Sequence, residues 1–399
     1  MKTCQLCSKG HLQSLLNLGD HPIAHRLLTD PTEVEYVHPV NLCLCDSCGL
    51  IQLKESIPPD YLYTDYNWLS SWKWNPHENR IVEQVLNLFI NLNSESMIAE
   101  VGSNDGSFLS LLRENGYKNL IGVEPTKDGQ HAAQKKEIKT IGSYFNKETA
   151  TELVTEVGKC DLFVSRQMLE HVAELTEFRE AMMIALRPGG YVYFEVPNFE
   201  FNLKSFDYSA IWEEHVNYFT LETLSRFLKD ANIRIIHSET ANFCGEALMV
   251  FGKHEENLNI KSDNTISEKQ IERAFAYKKR WPIFRNKFFN YLKNFHVNGK
   301  KIAVYGAGCR ACSLINFTGV ADNIDFCFDD QIEKQGKYLP GSHLFISHSK
   351  YLKDSNVDLC LLAVNEENED KVIKNIKLGE QNLTVASLLP PSKRILSIW

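Results

Sequence analysis

The stretch MIAEVGSNDGSFLSLLRENGYKNLIGVE, Met97–Glu124, decides how the rest of the chain is read. Met97–Val101 is a short apolar run that ends in glycine. Gly102–Gly106 is a turn, and Phe108–Arg113 opens an amphipathic helix. Leu120–Val123 reads as a second strand with Glu124 at its end. Strand, glycine turn, helix, strand and terminal acid make a βαβ unit of nucleotide-binding type. The turn departs from GxGxxG, because Gly102-Ser-Asn-Asp-Gly106 carries no third glycine.

That departure favours S-adenosylmethionine (SAM) over a dinucleotide. The amino-acid end of SAM would lie against Gly102, Asn104, Asp105 and Gly106, where close backbone approach requires small residues. Glu124 would take the two ribose hydroxyls. The competing reading is a βαβ unit with an acidic turn and no ligand.

Working outward, 399 residues suggest two or three domains, and 43% hydrophobic with 24% charged residues is ordinary globular composition. The net charge of −8 argues against a large nucleic-acid surface. No apolar run reaches the roughly 18 residues of a membrane span, and MKTCQLCSKGH has no apolar core of a secretion signal. Eleven cysteines without an export signal suit a reducing cytoplasm.

Cys4-Gln-Leu-Cys7 and Cys45-Asp-Ser-Cys48 are two CxxC pairs with 37 residues between the inner cysteines. Each tight turn presents two thiolates, and two turns complete a tetrahedral zinc site. With all four ligands cysteine there is no open position for water, so the zinc is structural. Cys43 is spare and packs. His21 and His25 read as ordinary surface or packing residues. Pro58–Trp74 is dense in aromatic residues and carries Ser70 and Ser71; it reads equally as a lid over the cofactor or as an aromatic seam.

In the central part, Glu78–Asn91 is an amphipathic helix, and Ile138–Ile141 and Cys160–Val164 are further strands. Ser165-Arg-Gln-Met-Leu-Glu-His171 leaves the last of these at the ligand edge of the sheet. Gln167 and Leu169 are candidates for the adenine and methyl region, while His171 reads as beginning or packing the next helix. Leu186-Arg-Pro-Gly-Gly190 is a turn before the strand Tyr191–Val196. Thr220 reads as a helix N-cap with an incomplete capping box, since Thr223 stands where glutamate or glutamine is usual. Just before it, Glu214-His215 is the best general-base pair in the chain: histidine's ordinary pKa near 6.5 suits proton abstraction, and an adjacent carboxylate fixes its tautomer. Ile233–Glu239 and Ala247–Gly252 end the sheet.

Gln270–Phe295 is a long helix, and Lys301-Ile-Ala-Val-Tyr-Gly-Ala-Gly308 begins a second βαβ unit. A glycine turn at a helix N-terminus can take a phosphate, with Arg310 adding charge. Cys309 and Cys312 lie on the helix and read as packing residues.

Taken in order, Cys4/Cys7 with Cys45/Cys48, Glu100-Val-Gly-Ser-Asn-Asp-Gly106, Gly122-Val-Glu-Pro125, Glu195-Val-Pro197, Glu214-His215 and Tyr305-Gly-Ala307 resemble the deoxysugar C-methyltransferases over essentially the whole chain. The resemblance implies an α/β protein: a Rossmann-like class I SAM methyltransferase core, an N-terminal Cys4 zinc module and a second, C-terminal Rossmann-like domain. The boundaries are read as 1–75 for the zinc module and aromatic lid, 76–255 for the methyltransferase domain and 256–399 for the C-terminal domain. The implied reaction methylates a carbon next to the ketone of a nucleotide-linked keto-deoxysugar. His215 would remove the proton, Glu214 would stand beside it, and the enolate would attack the methyl of SAM. Zinc would take no part. Glu100 and Pro125 join the implied cofactor residues, and Tyr66, Trp68, Ser70, Trp212, Glu246, Gly306 and Arg310 the acceptor residues.

Three positions depart from the family pattern. Trp212 stands for a tyrosine, Tyr66-Asn-Trp68-Leu-Ser70-Ser71 for a tyrosine-rich stretch, and Cys244-Gly245-Glu246 for a glycine-glycine-serine turn. Indole has no hydroxyl for an enolate oxygen, and Glu246 adds charge. O-methylation, another sugar class and a non-catalytic SAM-binding protein are therefore the alternative readings.

Overall fold

The computed structural model describes residues 3–63, 76–256, 266–376 and 383–399, whose strands form three sheets. Tyr66, Trp68, Ser70 and Ser71 lie outside the described residues. The first sheet begins with β1 (Leu12–Pro22), β2 (Val37–Cys45) and β3 (Ile51–Leu53), all antiparallel. The sequence does not signal β1. Its pairing with β2 shifts register between Ser14 and Leu16 and again between Asn17 and Asp20. Such bulges destroy the two-residue alternation by which a strand is recognised.

The central sheet contains β4 (Met97–Val101), β5 (Asn119–Val123), β6 (Lys139–Ile141), β7 (Cys160–Arg166) and β8 (Leu186–Pro197), paired in parallel. A two-residue strand, β9 (Asn217–Tyr218), follows outside it, and then β10 (Ile233–Ala241) and β11 (Ala247–His254) close the edge antiparallel. The order is β10-β11-β8-β7-β4-β5-β6. It reverses at β4, so the crevice beyond the carboxyl ends of β4 and β7 is where an open α/β sheet receives a ligand. Ile98, Leu162 and Val164 pack to one face, and Ala99, Phe163 and Phe194 to the other. Burial on both faces explains the near-continuous apolar runs of these strands.

Two local expectations are corrected. Leu186–Gly190 is not a separate turn: β8 starts at Leu186, which pairs with Cys160, and the pairing resumes at Tyr191 with Leu162. The residues between loop out as a bulge in which Gly189 has φ +71°. The Thr220 capping box is complete. Thr223 Oγ1 accepts from Thr220 N at 3.0 Å and Thr220 Oγ1 from Thr223 N at 3.4 Å, so a hydroxyl does the work usually given to a carboxylate.

β9 pairs with β3, Ile51 with Tyr218 and Gln52 with Asn217, and so becomes the fourth strand of the first sheet. The last sheet is all parallel: β12 (Ile302–Tyr305), β13 (Phe326–Phe328), β14 (Ile346–Ser347), β15 (Leu359–Leu362) and β16 (Thr384–Ser387), ordered β14-β13-β12-β15-β16. The helix Glu268–Val297 joins it to the rest. Its buried residues Gln270, Ala274, Tyr277, Phe284, Phe288 and Leu292 recur every three, four or seven positions and form one stripe. That stripe shares a single core with Leu42 and Ile51 of the first sheet and Ile302 and Val304 of the last.

Candidate active site

A cavity of about 740 Å³ opens at the carboxyl ends of β4, β5 and β7. Glu100, Gly102, Asn104, Asp105, Glu124, Pro125 and Gln167 all line it. Gly102 has φ +73°, and a Cβ there would lie 2.7 Å from Met168 Cγ. Glycine is thus required twice over, by conformation and by space. Gly102→Ala is expected to weaken SAM binding by about 1–3 kcal/mol, read by titration calorimetry. Asn104 and Gln167 both have φ +47°, an uncommon conformation for residues other than glycine. The carboxylate of Glu124 holds the turn in place. Its Oε2 accepts from Asn104 N at 3.0 Å, and its Oε1 from Thr126 N at 2.8 Å. Burial nevertheless raises the Glu124 carboxyl above the usual range. Asp105 is bonded to Lys136 Nζ at 2.5 Å, and Gln167 Nε2 donates to Glu195 Oε1 at 3.0 Å.

Two expected cofactor residues stand elsewhere. Leu169 is fully buried in the core beneath the wall. Gly106 is not among the lining residues; its Cβ position abuts Ile138 Cγ1 at 3.1 Å and Ala133 Cβ at 3.3 Å, so it permits helix-on-strand contact. The wall fits the amino-acid end of SAM on one further observation. Glu100 Oε2 and Ser103 Oγ are buried without a hydrogen-bond partner. Burial pushes the Glu100 carboxyl up to about 8. An ammonium group would satisfy such an orphaned acceptor.

At the far end of the cavity stand groups from three parts of the chain. His171, from the turn after β7, is on the wall. His215 lies behind it and is not among the lining residues; the two rings meet edge to face at 4.8 Å. Trp212 lies against His215 at 3.9 Å between ring centroids. Burial, and then His171, lower the His215 pKa well below its usual value, so its ring stays neutral. Glu214 is buried between His25 and His171. Its Oε1 accepts from His25 Nδ1, and its Oε2 is 3.9 Å from His171 Nδ1. Burial would raise the Glu214 carboxyl, but His25 beside it brings it below the usual range.

Sequence reasoning missed two of these residues. His25 belongs to this cluster and is not an ordinary packing residue; nothing local in the sequence joins positions 189 residues apart. His171 is on the cavity wall and ends the short 3-10 helix Leu169–His171. Its place at the ligand edge, after β7, was the signal.

The expected acceptor residues divide. Trp212 is in the histidine cluster. Glu246, Gly306 and Arg310 do not line the cavity. Glu246 Oε1 accepts from Asn198 Nδ2 at 2.6 Å. A Cβ on Gly306 would lie 2.6 Å from Ala363 O, so its glycine serves contact between β12 and β15. Arg310 is buried, its Nη2 donating to Asp207 Oδ2 at 2.8 Å and to Pro390 O at 3.0 Å. Arg310→Ala would leave the fully buried Asp207 without its cation and is expected to cost about 3–5 kcal/mol of stability, read by chemical denaturation.

The four cysteines fit zinc. Cys4 Sγ is 3.4 Å from Cys48 Sγ and Cys7 Sγ 3.7 Å from Cys45 Sγ, and all four sulfurs lie within 4.8 Å of one another. Two thiolates sharing a tetrahedral zinc stand roughly 3.8 Å apart. Backbone N–H groups of Gly10 and Cys48 donate to Cys7 and Cys45 sulfurs, as thiolates require. Cys43, Cys309 and Cys312 are buried apart from this site.

With this geometry in hand, comparison with known proteins finds three family models in succession. A zinc binding domain matches residues 4–63, a methyltransferase domain residues 72–238 and a C-methyltransferase C-terminal domain residues 252–378. The C-methyltransferase NovU of Streptomyces niveus is 28% identical over 357 residues, 86% of this chain and 84% of that protein. The chain is a SAM-dependent C-methyltransferase, similar to NovU over most of its length. An uncharacterized methyltransferase of Mycolicibacterium gilvum is 33% identical over 93 residues, 23% of this chain and 36% of that protein. The N-methyltransferase NodS of Bradyrhizobium japonicum, in complex with S-adenosyl-L-homocysteine, is 16% identical with a TM-score of 0.37, covering 49% of this chain and 95% of that one. The C-methyltransferase uses SAM as its methyl donor and carries a closed Cys4 zinc site. Among its described residues no helix is long and apolar enough to cross a membrane.

Proposed function

We propose that this C-methyltransferase acts in the cytoplasm on a nucleotide-linked keto-deoxysugar, placing the methyl group on a carbon next to the ketone, with His215 as general base. SAM, held by Glu100, Gly102, Asn104, Asp105, Glu124, Pro125 and Gln167, supplies an electrophilic methyl. The observation that carries this reading is a pair of touching histidines, His215 buried and neutral and His171 half-buried on the cavity wall. A carbon nucleophile needs its proton removed first, and the ketone makes that proton acidic enough. A neutral imidazole in a dry site is a competent acceptor. The order of motifs supports the sugar.

A specific observation favours a second assignment of the base. His171 lines the cavity and His215 does not. In that reading His171 takes the proton and His215 supports its ring. Asparagine at each position separates the two, since only loss of the true base abolishes exchange of the acceptor proton.

The protein, SAM and a panel of nucleotide-linked 4-keto-6-deoxyhexoses incubated in D₂O test the proposal by mass spectrometry. A methyl-sized gain on one sugar is expected. No gain and no deuterium uptake on any of them would exclude this acceptor class. Because burial lowers the pKa of whichever histidine is the base, the acid limb of the exchange rate is expected below pH 6.5. A limb centred at 6.5 would place the base in open solvent.

A further inference from the structure

His25 enters the histidine–carboxylate cluster from the N-terminal module, at the end of a tight connection that follows β1. Both of its ring nitrogens meet acceptors. Nδ1 is bonded to a carboxylate oxygen of Glu214, and Nε2 is 3.0 Å from the carbonyl oxygen of Leu62. The Leu62 carbonyl can only accept, and an ionised Glu214 can only accept, so beside an ionised Glu214 each nitrogen carries its own proton. A ring that donates from both nitrogens is an imidazolium. We propose that His25 is a positioning residue of the methyl-transfer site: a permanently protonated histidine that keeps Glu214 ionised and aims its second oxygen at His171.

The surroundings require such a cation. Glu214 has no exposed side-chain surface. A carboxylate cannot stay charged there without an opposite charge in contact. Its neighbours divide by charge. Glu213 is raised by burial to about 7 and Glu170 to about 8, so both lean toward the neutral acid. Burial also raises the Tyr63 phenol and the Cys309 thiol, while it lowers His171 and His215 toward neutral rings. His25 runs the other way. Burial lowers its pKa, but Glu214 more than offsets this and the net direction is up. The cluster therefore sets one acid shifted toward its ionised form beside one base shifted toward its charged form.

The consequence reaches the cavity through His171. Glu214 Oε2 and His171 Nδ1 are 3.9 Å apart, and both atoms are buried without a hydrogen-bond partner. An ionised Glu214 attracts a proton to Nδ1 of His171 and leaves Nε2 as the acceptor nitrogen. Fixing the tautomer of a catalytic histidine through the hydrogen bond made by its other nitrogen is a general device. Here the third member of the array is a second histidine and not a backbone group. Removing its charge would let burial raise Glu214, protonate it near neutral pH and release His171.

This consequence rests on the second assignment above, in which His171 takes the proton, but the protonation state of His25 does not. The full chain with zinc bound, carrying ring-¹⁵N histidine, is followed by ¹H–¹⁵N correlation over pH. The signal lost in His25→Gln identifies the residue. Imidazolium shifts for that signal at pH 8 are expected. A neutral ring at pH 8, or a titration near 6.5, would overturn the proposal. Glu214→Gln gives a second measurement should His25→Gln not fold: without the carboxylate, one histidine that was charged at pH 8 is expected to become neutral, and no change would count against it. Exchange of the proton beside the ketone in a nucleotide-linked 4-keto-6-deoxyhexose then reads the consequence. In His25→Gln its acid limb is expected to move up by about one pH unit or more, whereas a merely structural residue would lower the rate without moving the limb. An unmoved limb overturns the positioning role. Absence of exchange in the unmodified protein would instead contradict the general-base reading while the NMR result stands.

Discussion

His215→Asn is expected to lower methyl transfer by about a hundredfold to ten-thousandfold while SAM binding stays within a factor of about two by calorimetry. The asymmetry follows from position. His215 does not line the cavity proposed for the cofactor, and the glycine turn and Glu124 that shape that cavity follow β4 and β5. What the substitution removes is a neutral imidazole in contact with His171 and Trp212. Asparagine keeps a polar side chain of similar reach but cannot accept a proton at neutral pH. Exchange of the acceptor proton should fall together with methyl transfer, because proton removal precedes attack on the methyl. If methyl transfer fell while exchange persisted, His215 would position the acceptor and another group, such as His171, would be the base.

The second large effect is removal of zinc, and it is expected to unfold the N-terminal sheet. Structural zinc sites supply folding free energy outright, of the order of 10 kcal/mol in small domains. Here the loss would propagate along a traceable path. Gln5 N, inside the first cysteine turn, donates to Gln52 Oε1 at 2.9 Å. Gln52 is in β3, and β3 pairs with β9, which begins two residues after His215. Leu53 N also donates to Val216 O at 2.9 Å. Chelation, or Cys45→Ser, should therefore raise hydrogen exchange at Asn217 and Tyr218 as well as around the cysteines. Catalysis should be lost although zinc has no open ligand position. Unchanged protection at Asn217 with the metal gone would mean that β9 is held from the central sheet alone.

These two effects mark what the sequence could and could not disclose. The central βαβ unit was readable because its signals are local: an apolar run, a glycine turn, a helix and a terminal acid within one stretch. The cysteine pairs were readable because each is a tight turn. β9 was not, since two residues carry no periodicity and their partner is β3, far away in sequence. The same reason hid His25, whose significance comes wholly from Glu214. Arg310 and Gly306 carry structural duties that the sequence does not signal. A glycine turn followed by an arginine looks like an anion site, but the glycine makes room for Ala363 and the arginine neutralises Asp207. Leu169 was misplaced for a different reason: it follows Gln167 by two residues, yet it opens the 3-10 turn Leu169–His171 and points into the core.

The measurement that tests the central claim most directly is NMR of the product formed from SAM with a ¹³C-labelled methyl group and a nucleotide-linked keto-deoxysugar. The labelled methyl is expected to be bonded to carbon, with its protons correlated to the adjacent carbonyl carbon. A labelled methyl bonded to oxygen, or to a carbon remote from the ketone, would contradict it.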